Sequence, residues 1–396
     1  MAATEMHMTD TPEEMVVIDL PDPALDPAVV YAKLRSYTPG RASFLLESRD
    51  HAAPAGRYSL VGYRVRSGEM MPPGVDAIAA QVDGLGPAGP SSATVEAFAR
   101  ASMGYFSYGN THRIHGIRGW EDESVSGYFL NGATVVVFDH HERRVCVVGR
   151  KAGRLAERCV WELEHGPEPQ PLGAPQPLAR PESLRAALDD EQLAARVARA
   201  KRYLFAPLET LVLAQGYSTP VGAADPFDAY WALRALSRAP ALFFVDFGAS
   251  PITPPLQLLG AASRPAVVLR ASDGPACSGD ALQESLRAAF PSEAVVGANR
   301  IDAARAVRRL EDTSREHFGA LLGYLCPGGA GCFALVERVI SARGGLFELS
   351  VPVPMRADTD PVAVADATRA AAAAELAAIR AAHDAARAPK PEPPAE

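Results

Sequence analysis

Histidines are the side chains of this sequence best suited to proton transfer near neutral pH. His317 stands in the polar segment Ser314–Phe318, just before an apolar run, and a free imidazole titrates within the physiological range. A general acid or base is one interpretation of His317, and a solvated turn histidine is the other, which the polar neighbours favour. The adjacent pair His140–His141 lies in a β-rich stretch and is interpreted as a surface feature rather than a metal site.

The cysteines are a second set of reactive side chains, and no CxxC spacing occurs among them. They are five in number, Cys146, Cys159, Cys277, Cys326 and Cys332. An odd number without metal-ligand spacing favours free thiols in a reducing compartment over a disulfide framework or a zinc site. No His–acid arrangement accompanies the last three, so they are interpreted as small buried side chains.

Composition limits the classes of function. A chain of 396 residues that is 48% hydrophobic can bury a large core, and its net charge is −8. The basic residues are scattered without interleaved aromatic residues, so nucleic-acid binding is not expected. The N-terminus is acidic and interrupted by proline, unlike a signal peptide, and no apolar run is long enough to span a membrane. We therefore expect a soluble, cytoplasmic protein.

The element around which the chain is organised is the stretch from residue 290 to residue 339. It predicts a strand and turn at VVGANR, a helix over Ile301–Asp312, and a hairpin formed by FGALLGYL and CFALVERVI around a Gly-Gly turn. Further helices are predicted over Pro27–Ser36, over Asp225–Ser237 and from Pro361 to about Ala386. The predicted organisation is a disordered leader (1–15), a β-rich part (16–164), a proline-rich linker (165–182), an α/β part (183–386) and a disordered tail (387–396).

Seven segments in this order resemble the chorismate-utilising enzymes, which include anthranilate synthase component I, aminodeoxychorismate synthase component I, and the isochorismate and salicylate synthases. Besides the 290–339 stretch they are SFLLES (43–48), GRYSLVGYR (56–64), SMGYFSYG (102–109), GATVVVFDHHERRVCVVG (132–149), DPFDAYWALRAL (225–236) and DTDP (358–361). The resemblance implies an α+β fold of layered antiparallel sheets with helices packed outside.

The same family uses a Mg²⁺ ion held by carboxylates, and here the resemblance breaks down. The stretch that should carry the metal motif is reduced to PACSGDALQESLRAAF (275–290), which implies an internal deletion. At the second metal position the alignment places Val364, with Ala367 and Ala371 beside it. The resemblance therefore implies a shortened, catalytically degenerate member that binds no metal and needs no cofactor.

Other family positions are altered as well. Arg264 replaces a glutamate, Thr210 stands at the position of the catalytic base, and Asn299 and Arg300 end the altered GAPK motif. Phe318 replaces a tyrosine, and a glycine-rich carboxylate loop reads PVPM (352–355), where proline cannot donate an N–H. Of the family's polar site, Arg338 is kept. It is expected either to grip a ligand carboxylate or to pair with Glu337 or Asp358.

These losses predict a drier cleft that suits a small, largely apolar ligand. The candidate catalytic residues are His317, Thr210 and Tyr324. The candidate substrate-binding residues are Arg338, Arg264, Asn299, Arg300 and Phe318. Two hypotheses remain: a metal-independent enzyme acting on a specialised-metabolite intermediate, or a non-catalytic ligand-binding or scaffold protein with a biosynthetic partner. A glutamine amidotransferase subunit is not expected, and the LLES and GRYS segments, which resemble tryptophan-binding segments of anthranilate synthases, are interpreted as structural.

Overall fold

A computed structural model describes most of the chain outside its two ends and a set of internal segments. The described residues are 14–52, 56–71, 95–120, 125–151, 154–169, 172, 181–249, 255–269, 279–327 and 330–388, without the side chains of 263–269 and 279–281. The proline-rich segment is only partly included, so the division of the chain at residues 165–182 stays a prediction.

The described strands are hydrogen-bonded into one antiparallel sheet. They are β1 (Met15–Asp19), β2 (Ser43–Ser48), β3 (Tyr58–Tyr63), β4 (Ser67–Met71), β5 (Ser102–Phe106), β6 (Gly127–Asn131), β7 (Thr134–Asp139), β8 (Arg144–Arg150), β9 (Arg185–Ala186), β10 (Thr210–Pro220), β11 (Ala241–Asp246), β12 (Leu256–Leu269), β13 (Leu321–Leu325), β14 (Gly331–Arg343) and β15 (Leu346–Arg356). The order along the sheet is β1-β8-β7-β3-β2-β11-β12-β14-β13-β5-β6-β4, and β15, β10 and β9 branch from β14.

Helices pack outside this sheet. They are α1 (Pro27–Ser36), α2 (Asn110–His115), α3 (Leu155–His165), α4 (Asp190–Ala200), α5 (Pro226–Leu236), α6 (Gly279–Ala289), α7 (Glu293–Val296), α8 (Arg300–Leu310), α9 (Val364–Ala371) and α10 (Ala373–Arg387), with 3₁₀ turns at Val95–Arg100 and Lys201–Tyr203. The local sequence explains where several of these helices begin. Asp225 accepts from the Phe227 N–H at 2.9 Å and Pro226 opens α5, while Asp189 and Gln192 form a capping box at α4.

Three apolar clusters hold the layers together. The first lies between the β10–β15 branch and the β13–β14 hairpin, and helices α4, α6 and α8 contribute to it. The second lies on the same face of β14 farther along the strand, under α1, α5 and α10. The third fills the opposite, concave face of the sheet around the 95–100 turn. The predicted α+β architecture with an antiparallel sheet is confirmed.

Two local predictions are corrected, and one strand of the predicted hairpin is irregular. VVGANR begins with the helical turn α7, because Ser292 accepts from the Ala294 N–H at 3.3 Å, and not with a strand. The final helix is two helices that meet at Ala372. Within the hairpin, β14 carries an irregularity against β12: Arg338 is opposite Ala261 and Val336 is opposite Ala262, so Glu337 is an extra residue.

Candidate functional site

Arg338 points toward helices α9 and α10 because of the bulge at Glu337. Val336 belongs to the cluster on the concave face, whereas Ile340, two residues after Arg338, belongs to the cluster under α10. Side chains two apart on a strand share a face, so Arg338 points with Ile340 and away from Val336. Ala334 and Val336 therefore do not share a face with Arg338, because the extra residue Glu337 breaks the alternation along β14.

The guanidinium of Arg338 is engaged at the break between α9 and α10. Its Nη1 donates to the carbonyl oxygen of Ala371 at 2.8 Å and lies 3.6 Å from Oε1 of Glu375. The Glu375 side chain is 3% exposed, and burial raises the pKa of its carboxyl although Arg338 opposes the shift. The ion-pair interpretation of Arg338 is right in kind, but the partner is Glu375 rather than Glu337 or Asp358.

Thr210, Asn299 and Arg300 form one structural junction. The Thr210 hydroxyl accepts from the Ala298 N–H at 2.7 Å. Asn299 precedes α8 in a left-handed conformation and donates to Asp302 at 3.1 Å, and Arg300 donates to the Ala288 carbonyl oxygen. These contacts tie β10, α6 and α8 to one another. Each polar group is used by the fold.

His317 and Phe318 are interior residues. His317 is 7% exposed, its Nε2 lies 3.3 Å from the Tyr105 hydroxyl, and burial lowers its pKa to about 4. The imidazole is therefore neutral at pH 7, and the interpretation as a solvated turn histidine is wrong. Phe318 is fully buried in the first cluster, 5.2 Å below the guanidinium of Arg315. It is a packing residue and not a contact for a ligand.

Arg264 lies on β12 at the irregular pairing with β14, and its side chain is outside the described residues. Cys277 lies outside them as well. The other four cysteines are free thiols, as predicted. Of the two described ones that were predicted to be buried, Cys326 is buried and Cys332 is half-buried.

The residues at the family's metal position do not supply the oxygen ligands that a Mg²⁺ ion would need. Val364 is buried in the first apolar cluster at the start of α9. The carboxylate of Asp366 is exposed and bound to Arg369 at 2.6 Å, and Glu375 is bound to Arg338. Within the described part of the chain, no group of three or more acidic, histidine or cysteine side chains could hold a metal ion.

A cavity of about 550 Å³ opens on the concave face of the sheet, and Tyr324 is the predicted site residue that lines it. Strands β2, β3, β11, β12, β13 and β14 form its walls. The lining residues are Leu46, Glu47, Ser48, Asp50, Gly56, Tyr58, Leu60, Pro240, Ala241, Leu242, Phe243, Ala262, Leu322, Gly323, Tyr324, Cys332 and Ala334. Most of them are apolar, and the volume is typical of a small-molecule site.

Two phenols and one thiol provide polar groups in this cavity. Phe98 packs edge-on against both rings, with centroids 4.9 Å from Tyr58 and 5.3 Å from Tyr324. Among the described residues neither hydroxyl has a hydrogen-bond partner. Burial raises the pKa of both phenols and raises that of the Cys332 thiol to about 11. All three groups are therefore neutral donors at pH 7.

The acidic side of the cavity is fixed by a charged network behind β2. The Glu47 carboxylate accepts from Arg234 at 2.8–3.0 Å and from the Tyr230 hydroxyl at 2.6 Å, and Arg234 also binds Asp26 at 2.7 Å. Next to it, the Ser59 hydroxyl accepts from the Ser48 N–H at 2.9 Å and contacts His140 at 2.8 Å. The charge of the Glu47 carboxylate is balanced by Arg234, so this carboxylate is not available to a ligand in the cavity.

The sequence reasoning missed this cavity, although it contained the signal. The LLES and GRYS segments pair as β2 and β3, and Leu46, Ser48, Tyr58 and Leu60 from them form one wall. These segments are strands of the sheet, and their side chains also line the cavity. The structure thus separates the predicted site residues: Tyr324 is at the cavity, Arg338 is on the opposite face of the sheet, and the Thr210 junction is elsewhere.

Comparison with known proteins gives one consistent family. A family model described as chorismate binding enzyme matches residues 75–262. The chain is 25% identical over 457 aligned residues to anthranilate synthase component 1 of Streptomyces coelicolor, covering 92% of this chain and 88% of the relative. No described helix is long and apolar enough to cross a membrane.

Solved structures agree on the fold. Anthranilate synthase component I of Streptococcus pneumoniae superposes with a TM-score of 0.64 at 17% identity, covering 82% of this chain and 93% of the other. The menaquinone-specific isochorismate synthase of Escherichia coli superposes with a TM-score of 0.60 at 14% identity, covering 93% and 95%.

Proposed function

On the premise that this chain is a member of the chorismate-utilising enzyme family, we propose that it binds a small, largely apolar molecule in the concave-face cavity and needs no Mg²⁺. The observation that carries the proposal is the cavity of about 550 Å³ between β2–β3 and the β13–β14 hairpin, whose lining is mostly apolar with a few neutral donors and the carboxylates of Glu47 and Asp50 at one side. Apolar walls supply most of the affinity of such sites, and a few polar groups orient the ligand.

The ligand class follows from the charges around the cavity. None of the residues that line the cavity is Lys, Arg or His, Glu47 is held by Arg234, and Asp50 adds a negative charge. The phenols and the thiol are neutral, so the cavity offers donors to a carbonyl or hydroxyl oxygen but no cation to a dianion. We expect an uncharged or weakly charged specialised-metabolite intermediate. Chorismate, which carries two carboxylates, is a poor match because its charges would be desolvated without partners.

A second candidate is a metal-independent enzyme that catalyses cyclisation, elimination, rearrangement or group transfer in the same cavity. The observation that favours it is the pair of phenol hydroxyls, Tyr58 and Tyr324, which lack partners among the described residues. A neutral phenol can donate a proton or polarise a carbonyl oxygen. In both cases the protein would act beside other biosynthetic enzymes, and no amidotransferase subunit is expected.

Binding of indole, an uncharged bicyclic probe, tests the proposal. We expect saturable binding in ligand-observed NMR, unchanged by EDTA. Ala334→Leu should reduce affinity at least tenfold by filling the cavity, and Tyr324→Phe should alter it by a few fold. Tyr203→Phe, on the 201–203 turn, is the matched control and should bind normally. Indole binding that is unchanged in Ala334→Leu would show that indole binds at another site.

Turnover is tested in parallel with chorismate, Mg²⁺ and ammonia or glutamine. We expect no anthranilate, isochorismate or salicylate above the rate without protein. Formation of any of these, abolished by EDTA, would show that the family's chemistry is retained and would refute the metal-independent proposal.

A further inference from the structure

A second cavity, of about 640 Å³, lies between α8 and the loop that follows α2, and arginines dominate its walls. Arg305, Arg308 and Arg309 come from α8, and Arg118 faces them from the loop. Residues three and four apart on a helix share a side, so the three helix arginines present their guanidinium groups together. Such a concentration of positive charge is unexpected in a chain of net charge −8.

The local carboxylates do not neutralise this cavity. Glu311 turns inward to the buried Arg315 at 2.6 Å, and Asp312 binds Arg196 at 2.7 Å. Of the lining arginines, Arg305 is paired, with Asp302 at 2.9 Å. Within the described residues Arg118 and Arg309 are exposed and have no partner.

Part of the cavity is rigid before any ligand arrives. The guanidinium of Arg308 lies 5.0 Å over the ring of Trp120, and its Nε donates to the Gly119 carbonyl oxygen at 3.2 Å. Trp120 is anchored in turn by its indole N–H, which donates to the Glu311 carbonyl oxygen at 3.2 Å. A preorganised arginine loses less side-chain freedom on binding than a mobile one.

The positive field extends beyond the cavity. His115, at the end of α2, donates from its Nε2 to the Phe290 carbonyl oxygen, 2.6 Å away. Burial is the largest of the causes that lower its pKa, and Arg300, Arg287 and Arg305 lower the pKa further. A structural explanation covers only part of this arrangement: Arg308 and Arg309 in the last turn of α8 interact favourably with the helix dipole. That explanation does not account for Arg118, which lies across the cavity.

We propose that this arginine-lined cavity binds the diphosphate group of a small organic ligand. Three of the four lining guanidinium groups have no carboxylate partner among the described residues, so the cavity carries a net positive charge that suits a diphosphate, and arginine binds phosphate oxygens with two parallel N–H donors. The site is separate from the apolar cavity on the concave face, since it lies on α8 and the 116–118 loop.

Inorganic pyrophosphate is the probe, titrated by calorimetry at an ionic strength held constant with sodium chloride. We expect saturable binding of the full-length protein, and at least tenfold weaker binding of sulfate at equal concentration. Arg118→Gln and Arg309→Gln should each weaken pyrophosphate binding about tenfold, because each removes a charge-assisted hydrogen bond. Both residues are exposed and unpaired among the described residues, so melting without ligand should change little, at most by the small helix-dipole contribution of Arg309.

Arg41→Gln is the matched control, because it removes one exposed positive charge between α1 and β2 that does not line the cavity. It should leave pyrophosphate binding unchanged. Equal losses in all three variants would mean a nonspecific charge effect and would overturn the proposal, as would equal binding of sulfate and pyrophosphate.

Residues 121–124, which follow Trp120 in the sequence and include three carboxylates, lie outside the described residues. A triple variant, Glu121→Gln with Asp122→Asn and Glu123→Gln, therefore accompanies the titration. The proposal is supported if the wild type binds pyrophosphate and the triple variant binds it equally well or more tightly. Binding that occurs only in the triple variant would mean that the chain's own carboxylates occupy the cavity, and would overturn it.

Discussion

At the scale of single residues, the family's polar positions are reused for structure. Arg338 is the clearest case: the residue that the resemblance assigns to a substrate carboxylate binds a carboxylate of its own chain, that of Glu375, and a helix-end carbonyl. Glu375 has one carboxylate oxygen buried without a hydrogen-bond partner. Because an unpaired buried carboxylate is costly, the pair is expected to hold Arg338 firmly.

Removing Arg338 should therefore reduce stability. Arg338→Met leaves Glu375 buried without its cation, and we expect a loss of about 1–3 kcal/mol in the free energy of unfolding, limited because the arginine is 39% exposed. Urea denaturation measures it. The double variant Arg338→Met/Glu375→Leu should recover most of the loss. A single variant as stable as the wild type would show that the pair contributes nothing.

At the scale of elements, the spacing of apolar residues predicted those helices and strands whose bounds depend on residues close in the sequence. The spacing of apolar residues located α8 and the β13–β14 hairpin to within a few residues, and Asp225–Pro226 located the start of α5. The break at Ala372 and the bulge at Glu337 were missed because each depends on distant partners. Arg338 reaches Ala371 from 33 residues away, and the bulge exists only against β12. The cavity was missed for the same reason, since six strands must pair before it forms.

The junction between α7, α8 and β10 depends on Gly297. Its φ is +109°, and a Cβ there would lie 2.2 Å from the Thr210 carbonyl oxygen. We expect Gly297→Ala to cost about 3 kcal/mol or more, from backbone strain and displacement of β10. Gly222→Ala is the control: its φ is +61° with nothing within 4 Å, so only about 1 kcal/mol should be lost. Equal losses in the two variants, measured by urea denaturation, would mean that the contact with Thr210 does not matter.

At the scale of the whole molecule, the sheet joins the two parts of the chain that the sequence divides at residues 165–182. Strand β2 pairs with β11 along its full length, and β5 pairs with β13. The concave-face cavity takes its walls from both parts, with Tyr58 from one and Tyr324 from the other. A ligand in that cavity would bind only the folded, joined state, so binding and the integrity of the sheet are linked.

Cutting the chain in the proline-rich segment should therefore leave the molecule intact. A protease recognition sequence inserted between Gly173 and Ala174 breaks the connection without removing a strand pair. We expect the two fragments to co-elute in size-exclusion chromatography and to unfold in one transition, because the β2–β11 and β5–β13 hydrogen bonds and the shared apolar clusters persist. The melting temperature should fall by several degrees, since the cut chain loses its covalent restraint on the unfolded state. Uncut protein carrying the same insertion is the control. Fragments that elute separately, or two resolved transitions, would show that the parts are independent domains and that the cavity between their strands is weakly held.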